Sequence, residues 1–286
     1  MLIEFKETWF KKQEDNVWIE QNKYYFEESA SDIDDCYKLV DKSRNVVLYL
    51  KKNGTQCIFN GIVLYENKSM INARTQYLKP DIYNPNSKIA VVMMYTPNIA
   101  HICCHTEVNI LAYCNLHKYT CYIYKDTMTA SHPTWNKPLV LKDNIENHEY
   151  IMWIDSDAIF TNFNVKIEDI IFKQPKKNMY ICDDIGNWKL NAGVHIWKNC
   201  NWSINILNKW WNMKHTDHIK GGDQVQLIKL LTENDKEELE YYIFEQTEFN
   251  CHPKLHKPGM FILHMMGMSS DYRIKAMKYW NKFLIK

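Results

Sequence analysis

From about residue 88 onward, short apolar runs alternate with amphipathic stretches along the chain. Residues 89–95, 121–124 and 150–154 are continuous apolar runs of the kind that form buried parallel strands. Between them, residues 105–117 and 138–147 carry apolar side chains at helical spacing. This strand–helix–strand–helix–strand order predicts an α/β fold built on a doubly wound sheet.

The same alternation continues to the end of the chain, so further strands and helices are expected there. The predicted elements are strands at 179–182, 194–197 and 261–263, and helices at 202–211, 223–231 and 272–284.

The first 80 residues have a different pattern, made of short aromatic and β-branched runs. Asn53-Gly54 separates two of these runs, and this dipeptide is a strong signal for a hairpin turn. We therefore predict a small antiparallel β-rich domain at 1–80 and a larger α/β domain at 81–286. The proline- and asparagine-rich segment 79–87 is expected to link them.

Composition narrows the class of protein. The 286 residues carry a formal charge of only +1, so no general attraction to nucleic acid is expected. No apolar run reaches the roughly 18 residues that cross a bilayer, and charges near Met1 argue against a signal peptide. We expect a soluble, cytoplasmic protein with no nucleic-acid partner and no membrane span. Whether it forms a homodimer is left open by the sequence.

The third predicted strand, 150–154, ends in two carboxylates one residue apart, Asp155 and Asp157. Ligands of open α/β sheets bind at the carboxyl ends of strands. Two oxygen donors there suit Mg²⁺ or Mn²⁺, which also bind the oxygens of a diphosphate. The alternative is an Asx-type turn in which one aspartate caps the following segment.

Several blocks between residues 88 and 271 resemble, in the same order, glycosyltransferase family 34. This is a family of retaining α-galactosyl-, α-mannosyl- and α-xylosyltransferases. The similar blocks are 109–119, 135–139, 153–162 around the two aspartates, 190–203, Asp223-Gln224 and 261–267.

The resemblance implies a GT-A fold, a divalent cation (Mn²⁺ or Mg²⁺) and a nucleotide-sugar donor, with a UDP-sugar favoured over a GDP-sugar. The acceptor would be a glycan or another hydroxyl compound. Asp155, Asp157 and His264 would bind the metal. Asp223 and Gln224 would be the catalytic residues that hold the donor sugar, with Gln224 near its anomeric carbon.

The resemblance also implies a set of residues that bind the donor. They are Tyr95, Thr96, Asn109, Tyr113, Lys137, Asp155, Ser156, Asn191, Gly193 and Gly267. The family usually has a diphosphate-binding lysine five residues after the late histidine, where this chain has Ser269. Lys275, Arg273 and Lys137 are candidates to replace it.

Two other functions stay open at this point. A haloacid-dehalogenase-type phosphohydrolase would use Asp155 as its nucleophile and Asp183-Asp184 as a late acidic pair. A catalytically silent module could also keep the GT-A shape.

Purely structural roles stay open for individual residues of the predicted site. His264 could be a hydrogen-bonded core residue, and Asp223 could cap a helix. Asn191-Ala192-Gly193 could form a turn with positive φ at the glycine. Trp188 could stack on a sugar or pack in the core.

Overall fold

The computed structural model describes two compact units, Met1–Lys79 and Pro80–Lys286. In the first unit it describes the backbone of eight strands. In the second it describes residues 80–129, 132–186, 188–214, 222–232 and 239–285.

The eight strands of the first unit form one antiparallel sheet in which every strand pairs with its neighbours in sequence. They are β1 (Leu2–Phe5), β2 (Thr8–Gln13), β3 (Val17–Glu20), β4 (Tyr24–Glu28), β5 (Cys36–Asp41), β6 (Val46–Lys51), β7 (Gln56–Phe59) and β8 (Ile62–Tyr65). Asn53-Gly54 lies between β6 and β7, outside the described residues.

The second unit is built on a seven-stranded mixed sheet and a separate two-stranded sheet. The seven strands are β9 (Asp81–Tyr83), β10 (Ile89–Met94), β11 (Thr120–Tyr124), β12 (Tyr150–Ile154), β14 (Met179–Cys182), β15 (Asn191–Lys198) and β16 (Tyr241–Phe244). Their order in the sheet is β16-β14-β15-β12-β10-β11-β9. The small sheet pairs β13 (Ala158–Phe160) with β17 (Ile262–His264) in antiparallel register.

Helices cover both faces of the large sheet. They are α1 (Ala100–His117), α2 (Lys137–Ile145), α3 (Ile167–Lys173), α4 (Asn201–Asn212), α5 (Gly222–Thr232), α6 (Gln246–Phe249) and α7 (Ser270–Leu284). Alternate residues of β10 face two separate apolar cores, with Val91 and Met93 in one and Val92 and Met94 in the other. Burial on both faces explains why this strand is apolar throughout.

Short elements account for most of the differences from the prediction. The predicted linker 79–87 contains β9, an edge strand that pairs antiparallel with β11. β13, β16, α3 and α6 were not predicted, because three to seven residues are too few to show a period. Asn191-Ala192-Gly193 is the start of β15 rather than a turn, and Gly193 has no positive φ.

Strand pairing brings three distant segments to one edge of the sheet. β12 leads directly into the Asp155–Asp157 segment, and β13 follows it and places Ala158 opposite His264. β15 runs antiparallel to β12, so Gly193 lies beside Asp155 and accepts a hydrogen bond from its backbone N–H at 2.8 Å. Among the helices that the structure describes, none has both the length and the apolar character of a membrane-spanning segment.

Candidate active site

Asp155, Asp157 and His264 form a compact cluster, with one ligating atom of each within 4.8 Å of the others. His264 Nε2 lies 3.2 Å from Asp157 Oδ1 and 3.9 Å from Asp155 Oδ2. Around an octahedral ion with ligands at about 2.1 Å, neighbouring ligand atoms are about 3 Å apart. These three side chains therefore have the spacing and the donor types that suit a divalent cation.

The hydrogen bonds behind His264 determine which of its nitrogens faces the carboxylates. Asn191 Oδ1 accepts from the Gly193 backbone N–H at 2.9 Å, so the Asn250 atom that meets it at 2.9 Å must be the amide NH₂. The Asn250 carbonyl then faces His264 Nδ1 at 2.8 Å, which requires a proton on Nδ1. With its proton on Nδ1, a neutral imidazole at this position presents the lone pair of Nε2 to the cluster, as a metal ligand must.

Lys137 is a buried cation that joins two of the predicted site carboxylates. Its Nζ lies 3.1 Å from Asp155 Oδ1 and 3.1 Å from Asp223 Oδ2, and it donates to the Ala192 carbonyl at 3.0 Å. Burial lowers the pKa of Lys137, but the two carboxylates outweigh this and raise it above its ordinary value. Lys137 is therefore charged at neutral pH. Asp223 is the second residue of α5, so it does not cap this helix.

Each oxygen of Asp157 has a different partner. Oδ1 faces His264, and Oδ2 accepts a bond from the Arg273 guanidinium at 2.7 Å. Burial raises the pKa of Asp157, but His264 and Arg273 outweigh it and lower this pKa to about 2. Burial also raises the pKa of Asp155, although Lys137 and His264 oppose that rise.

Gly193 provides the space that His264 occupies. A Cβ at this position would lie 2.0 Å from His264 Cε1 and 2.6 Å from Nδ1, closer than any real contact. The glycine is therefore explained by close packing against the imidazole rather than by backbone conformation.

We expect Gly193→Ala to displace the imidazole and to lower Mn²⁺ affinity by about 10- to 100-fold, the usual cost of disturbing the support of a metal ligand. Calorimetric Mn²⁺ titration measures this effect. Gly186→Ala is the matched control, because nothing lies within 4 Å of a Cβ there. Equal Mn²⁺ affinity in the two variants would show that His264 does not bind the ion.

Gln224 links the cluster to the loop that follows β14. Its Oε1 accepts from the Ala192 N–H at 2.9 Å, and its Nε2 donates to Asp184 Oδ2 at 3.3 Å. Gln224 thus lies close to Asp223 and to the backbone that contacts Lys137. The structure therefore connects both predicted catalytic residues, through Ala192 and Lys137, to the cluster of Asp155, Asp157 and His264.

Three other predicted residues, Tyr95, Thr96 and Ser156, follow strands at the same edge of the sheet. β10 runs parallel to β12, so Tyr95 and Thr96 follow β10 at the edge where Asp155 follows β12. The Tyr95 hydroxyl donates to Glu107 at 2.8 Å, and Thr96 is partly exposed. Ser156 lies between the two aspartates, and Gly267 is exposed with φ +71°.

Asn109 and Tyr113 lie elsewhere, which corrects the expectation that they bind the donor. The Asn109 amide is fully buried and exchanges hydrogen bonds with the Phe160 backbone at 2.8 and 3.0 Å. The Tyr113 ring stacks on Phe160 at 3.7 Å, and its hydroxyl donates to the Val165 carbonyl. Both side chains hold α1 against β13, and their polar atoms already make hydrogen bonds within the protein.

The C-terminal helix carries the basic residue nearest to the acid pair. Ser269, at the position of the expected lysine, is the N-cap of α7 and accepts from the Tyr272 N–H at 3.3 Å. Arg273 is one turn further on and points back to Asp157, whereas Lys275 is exposed. Asn250 is the site residue that the sequence did not reveal, because no local motif surrounds it.

The fold and the clustered residues define residues 80–286 as a glycosyltransferase-type domain with the GT-A fold. Residues 86–186 match the family model described as the galactosyl transferase GMA12/MNN10 family, which confirms the resemblance to glycosyltransferase family 34. This match contains the acid pair and Lys137, while Asp223, Gln224 and His264 lie beyond it.

Two plant glycosyltransferases are similar in sequence to about half of this chain. The chain is 28% identical to glycosyltransferase 6 of Arabidopsis thaliana over 51% of its own length and 37% of that protein. It is 27% identical to galactomannan galactosyltransferase 1 of Cyamopsis tetragonoloba over 49% of its own length and 39% of that protein. The chain thus spans less than two fifths of the length of these two relatives.

Among solved structures, a glycosyltransferase involved in glycosylation of the major capsid of PBCV-1 is similar in fold. The TM-score is 0.58 at 18% identity, covering 67% of this chain and 98% of that one. The glycosyltransferase GlyE of Streptococcus pneumoniae TIGR4 gives a TM-score of 0.50 at 16% identity, covering 70% of this chain and 61% of that one.

Proposed function

We propose that this protein is a metal-dependent, retaining glycosyltransferase that moves a sugar from a nucleotide diphosphate, preferably a UDP-sugar, to a hydroxyl acceptor. The observation that carries the proposal is the convergence of Asp155, Asp157 and His264 within 4.8 Å at the carboxyl end of the central strand. The fold similarity and the family match support the same class of reaction.

The donor set of the cluster fits Mn²⁺ or Mg²⁺. Two carboxylates and one imidazole are hard or borderline ligands, and a site with three protein ligands leaves positions for diphosphate oxygens. A bound divalent cation would neutralise the charge that grows on the diphosphate as the anomeric bond breaks.

The remaining residues bind and orient the donor. Lys137 fixes the Asp155 and Asp223 carboxylates in place through its two ion pairs. The Gln224 amide has a fixed orientation because it bonds to Ala192 and Asp184. We place Asp223 and Gln224 beside the donor sugar, where carboxylate and amide oxygens favour the positive charge that develops at the anomeric carbon.

Arg273 is our candidate for the residue that contacts the leaving diphosphate. The Arg273 side chain is 27% exposed. Its guanidinium contacts the Asp157 carboxylate that we place on the metal. A planar guanidinium binds phosphate oxygens with two parallel hydrogen bonds, which a serine at position 269 cannot do. We assign this contact to Arg273 rather than to Lys275, which is exposed, or to Lys137, which is paired with two other carboxylates.

We expect Arg273→Met to lower kcat for a nucleotide-sugar donor by about 100-fold, the typical cost of removing one group that stabilises transition-state charge. Mn²⁺ affinity should not fall, because a positive neighbour of Asp157 is removed. Steady-state kinetics with Mn²⁺ titration measures both quantities. Lys275→Met, on the same helix, is the control, and a larger loss in that variant would reassign the contact.

The proposed function is tested with a panel of UDP- and GDP-sugars in Mn²⁺, followed by thermal shift and by donor hydrolysis. One nucleotide sugar should raise Tm, and EDTA should abolish the shift, because a ligand stabilises only the state that binds it. If no nucleotide sugar binds or is hydrolysed, the domain is a silent GT-A module. Release of phosphate from simple monoesters without a nucleotide would instead favour a phosphohydrolase.

A further inference from the structure

A buried tryptophan of β12 donates a hydrogen bond to the first carboxylate of the acid pair. The donor is Trp153 Nε1 and the acceptor is Asp155 Oδ1, at 2.7 Å. The pairing of β12 with β15 continues to Asp155, whose backbone N–H bonds to the Gly193 carbonyl. Alternate residues of an extended chain face the same side, so the indole can reach the carboxylate two residues further on.

The two oxygens of Asp155 have different surroundings. Oδ1 accepts the bond from Trp153 and lies 3.1 Å from Lys137 Nζ. Oδ2 has the longer contact with Lys137, at 3.4 Å, and is the oxygen that faces His264 Nε2, at 3.9 Å. Oδ1 is therefore occupied by two close donors, whereas Oδ2 lies on the side of the metal cluster and retains capacity for a cation.

The indole of Trp153 is itself held in place by buried neighbours. Its ring lies nearly parallel to that of His195, at 17° with the centroids 6.5 Å apart, and Lys137 Nζ lies 5.8 Å from the indole centroid. His195 is fully buried and accepts a hydrogen bond from Trp197 Nε1 at 2.7 Å. The indole consequently cannot follow a carboxylate that turns, and a fixed donor selects one orientation of a metal ligand.

We infer that Trp153 is a positioning residue for the metal, because its N–H holds Asp155 Oδ1 and leaves Oδ2 as the single oxygen of this carboxylate that faces the cation. One oxygen per carboxylate suits the octahedral shell of Mg²⁺ or Mn²⁺. Ca²⁺ accepts more ligands and often takes both oxygens of one carboxylate. The inference rests on the proposed function and adds to its metal site a residue that does not touch the metal.

Trp153→Phe keeps an aromatic ring at this position and removes the N–H donor. We expect its Kd for Mn²⁺ to rise about tenfold, since disturbing the support of a metal ligand usually costs about 10- to 100-fold in affinity. The Kd for Ca²⁺ should rise by less than about twofold, because Asp155 is then free to offer both oxygens. Calorimetric titration of the full chain with each metal alone measures both constants.

Trp197→Phe is the matched control. Trp197 is fully buried and loses an indole N–H bond of the same length, but its acceptor is His195 Nδ1 rather than a carboxylate. Both metal affinities should therefore stay at their wild-type values in this variant. If Trp153→Phe weakens Mn²⁺ and Ca²⁺ by the same factor, its role is merely structural and the inference is overturned. Equal Mn²⁺ affinity in the two variants overturns it as well.

A measurement on the wild type does not depend on the folding of a variant. The hydrogen bond from Trp153 should weaken when Mg²⁺ draws charge from Asp155, because bonds that share a group polarise one another. In protein labelled with ¹⁵N-tryptophan, one indole N–H signal should therefore move when Mg²⁺ is added, and the same signal should be missing from the spectrum of Trp153→Phe. If no indole signal moves at saturating Mg²⁺, the inference is wrong.

The failures of the two proposals are distinguishable, because metal titration needs no nucleotide sugar. Selective loss of Mn²⁺ affinity in Trp153→Phe, without turnover of any nucleotide sugar by the wild type, would refute the proposed function and retain the positioning role. Metal-dependent turnover with an Mn²⁺ affinity that Trp153→Phe does not change would retain the proposed function and refute the positioning role. A wild-type protein that takes up no Mn²⁺ would refute both.

Discussion

Replacing Asp157 by alanine is expected to abolish metal-dependent turnover and to lower Mn²⁺ affinity by at least about a hundredfold, because a direct ligand is lost. Stability should change by less than about 1 kcal/mol, since the partly exposed Arg273 can rehydrate once its partner is gone. Calorimetric Mn²⁺ titration, donor hydrolysis and thermal unfolding of the same samples measure the three effects.

Asp271→Ala provides a matched control for this experiment. Asp271 is an exposed carboxylate in the first turn of α7, away from the cluster, so its loss should leave Mn²⁺ affinity unaltered. Wild-type turnover in Asp157→Ala would remove the basis of the metal-site assignment. Equal losses in the two variants would point to a general effect of charge on the helix.

The second large effect is expected in Lys137→Met, which should destabilise the domain by about 3–5 kcal/mol. The Lys137 and Asp223 side chains are only 7% and 6% exposed, so removal of the cation leaves buried carboxylates without compensation. Chemical denaturation of the full chain, followed by circular dichroism, measures this loss in the free energy of unfolding.

Lys142→Met is the control for this second prediction, because Lys142 is an exposed lysine on the same helix. Its effect should stay within about 0.5 kcal/mol. Adding Asp223→Leu to Lys137→Met should recover part of the loss, since one of the stranded charges is then absent. A Lys137→Met protein as stable as the Lys142→Met protein would contradict a buried ion-pair role.

The sequence predicted the central α/β pattern well, because β10, β11 and β12 are long enough to show continuous apolar character. The acid pair could also be recognised in the sequence, because it directly follows one of these strands. His264, by contrast, was assigned only through the family resemblance. A single histidine at the end of a three-residue strand has no distinctive period or spacing of its own.

Other parts of the site depend on contacts that no local pattern encodes. Asn250 acts on Asn191 and His264, which lie 59 and 14 residues away, so its role appears only in three dimensions. Asn109 and Tyr113 lie in a block that resembles the family, yet they serve the packing of α1. Similarity to a family thus pointed to this segment without separating the residues that pack α1 from the residues that face the proposed site.

The dependence of the cluster on the last strand and helix has a consequence for shortened forms of the protein. A stop codon or a protease cut between Phe249 and Ile262 would leave every strand of the seven-stranded sheet present. Such a truncated product would nevertheless lack both the imidazole and the guanidinium that face Asp157. Even with its large sheet folded, such a form would not support the proposed metal-dependent turnover.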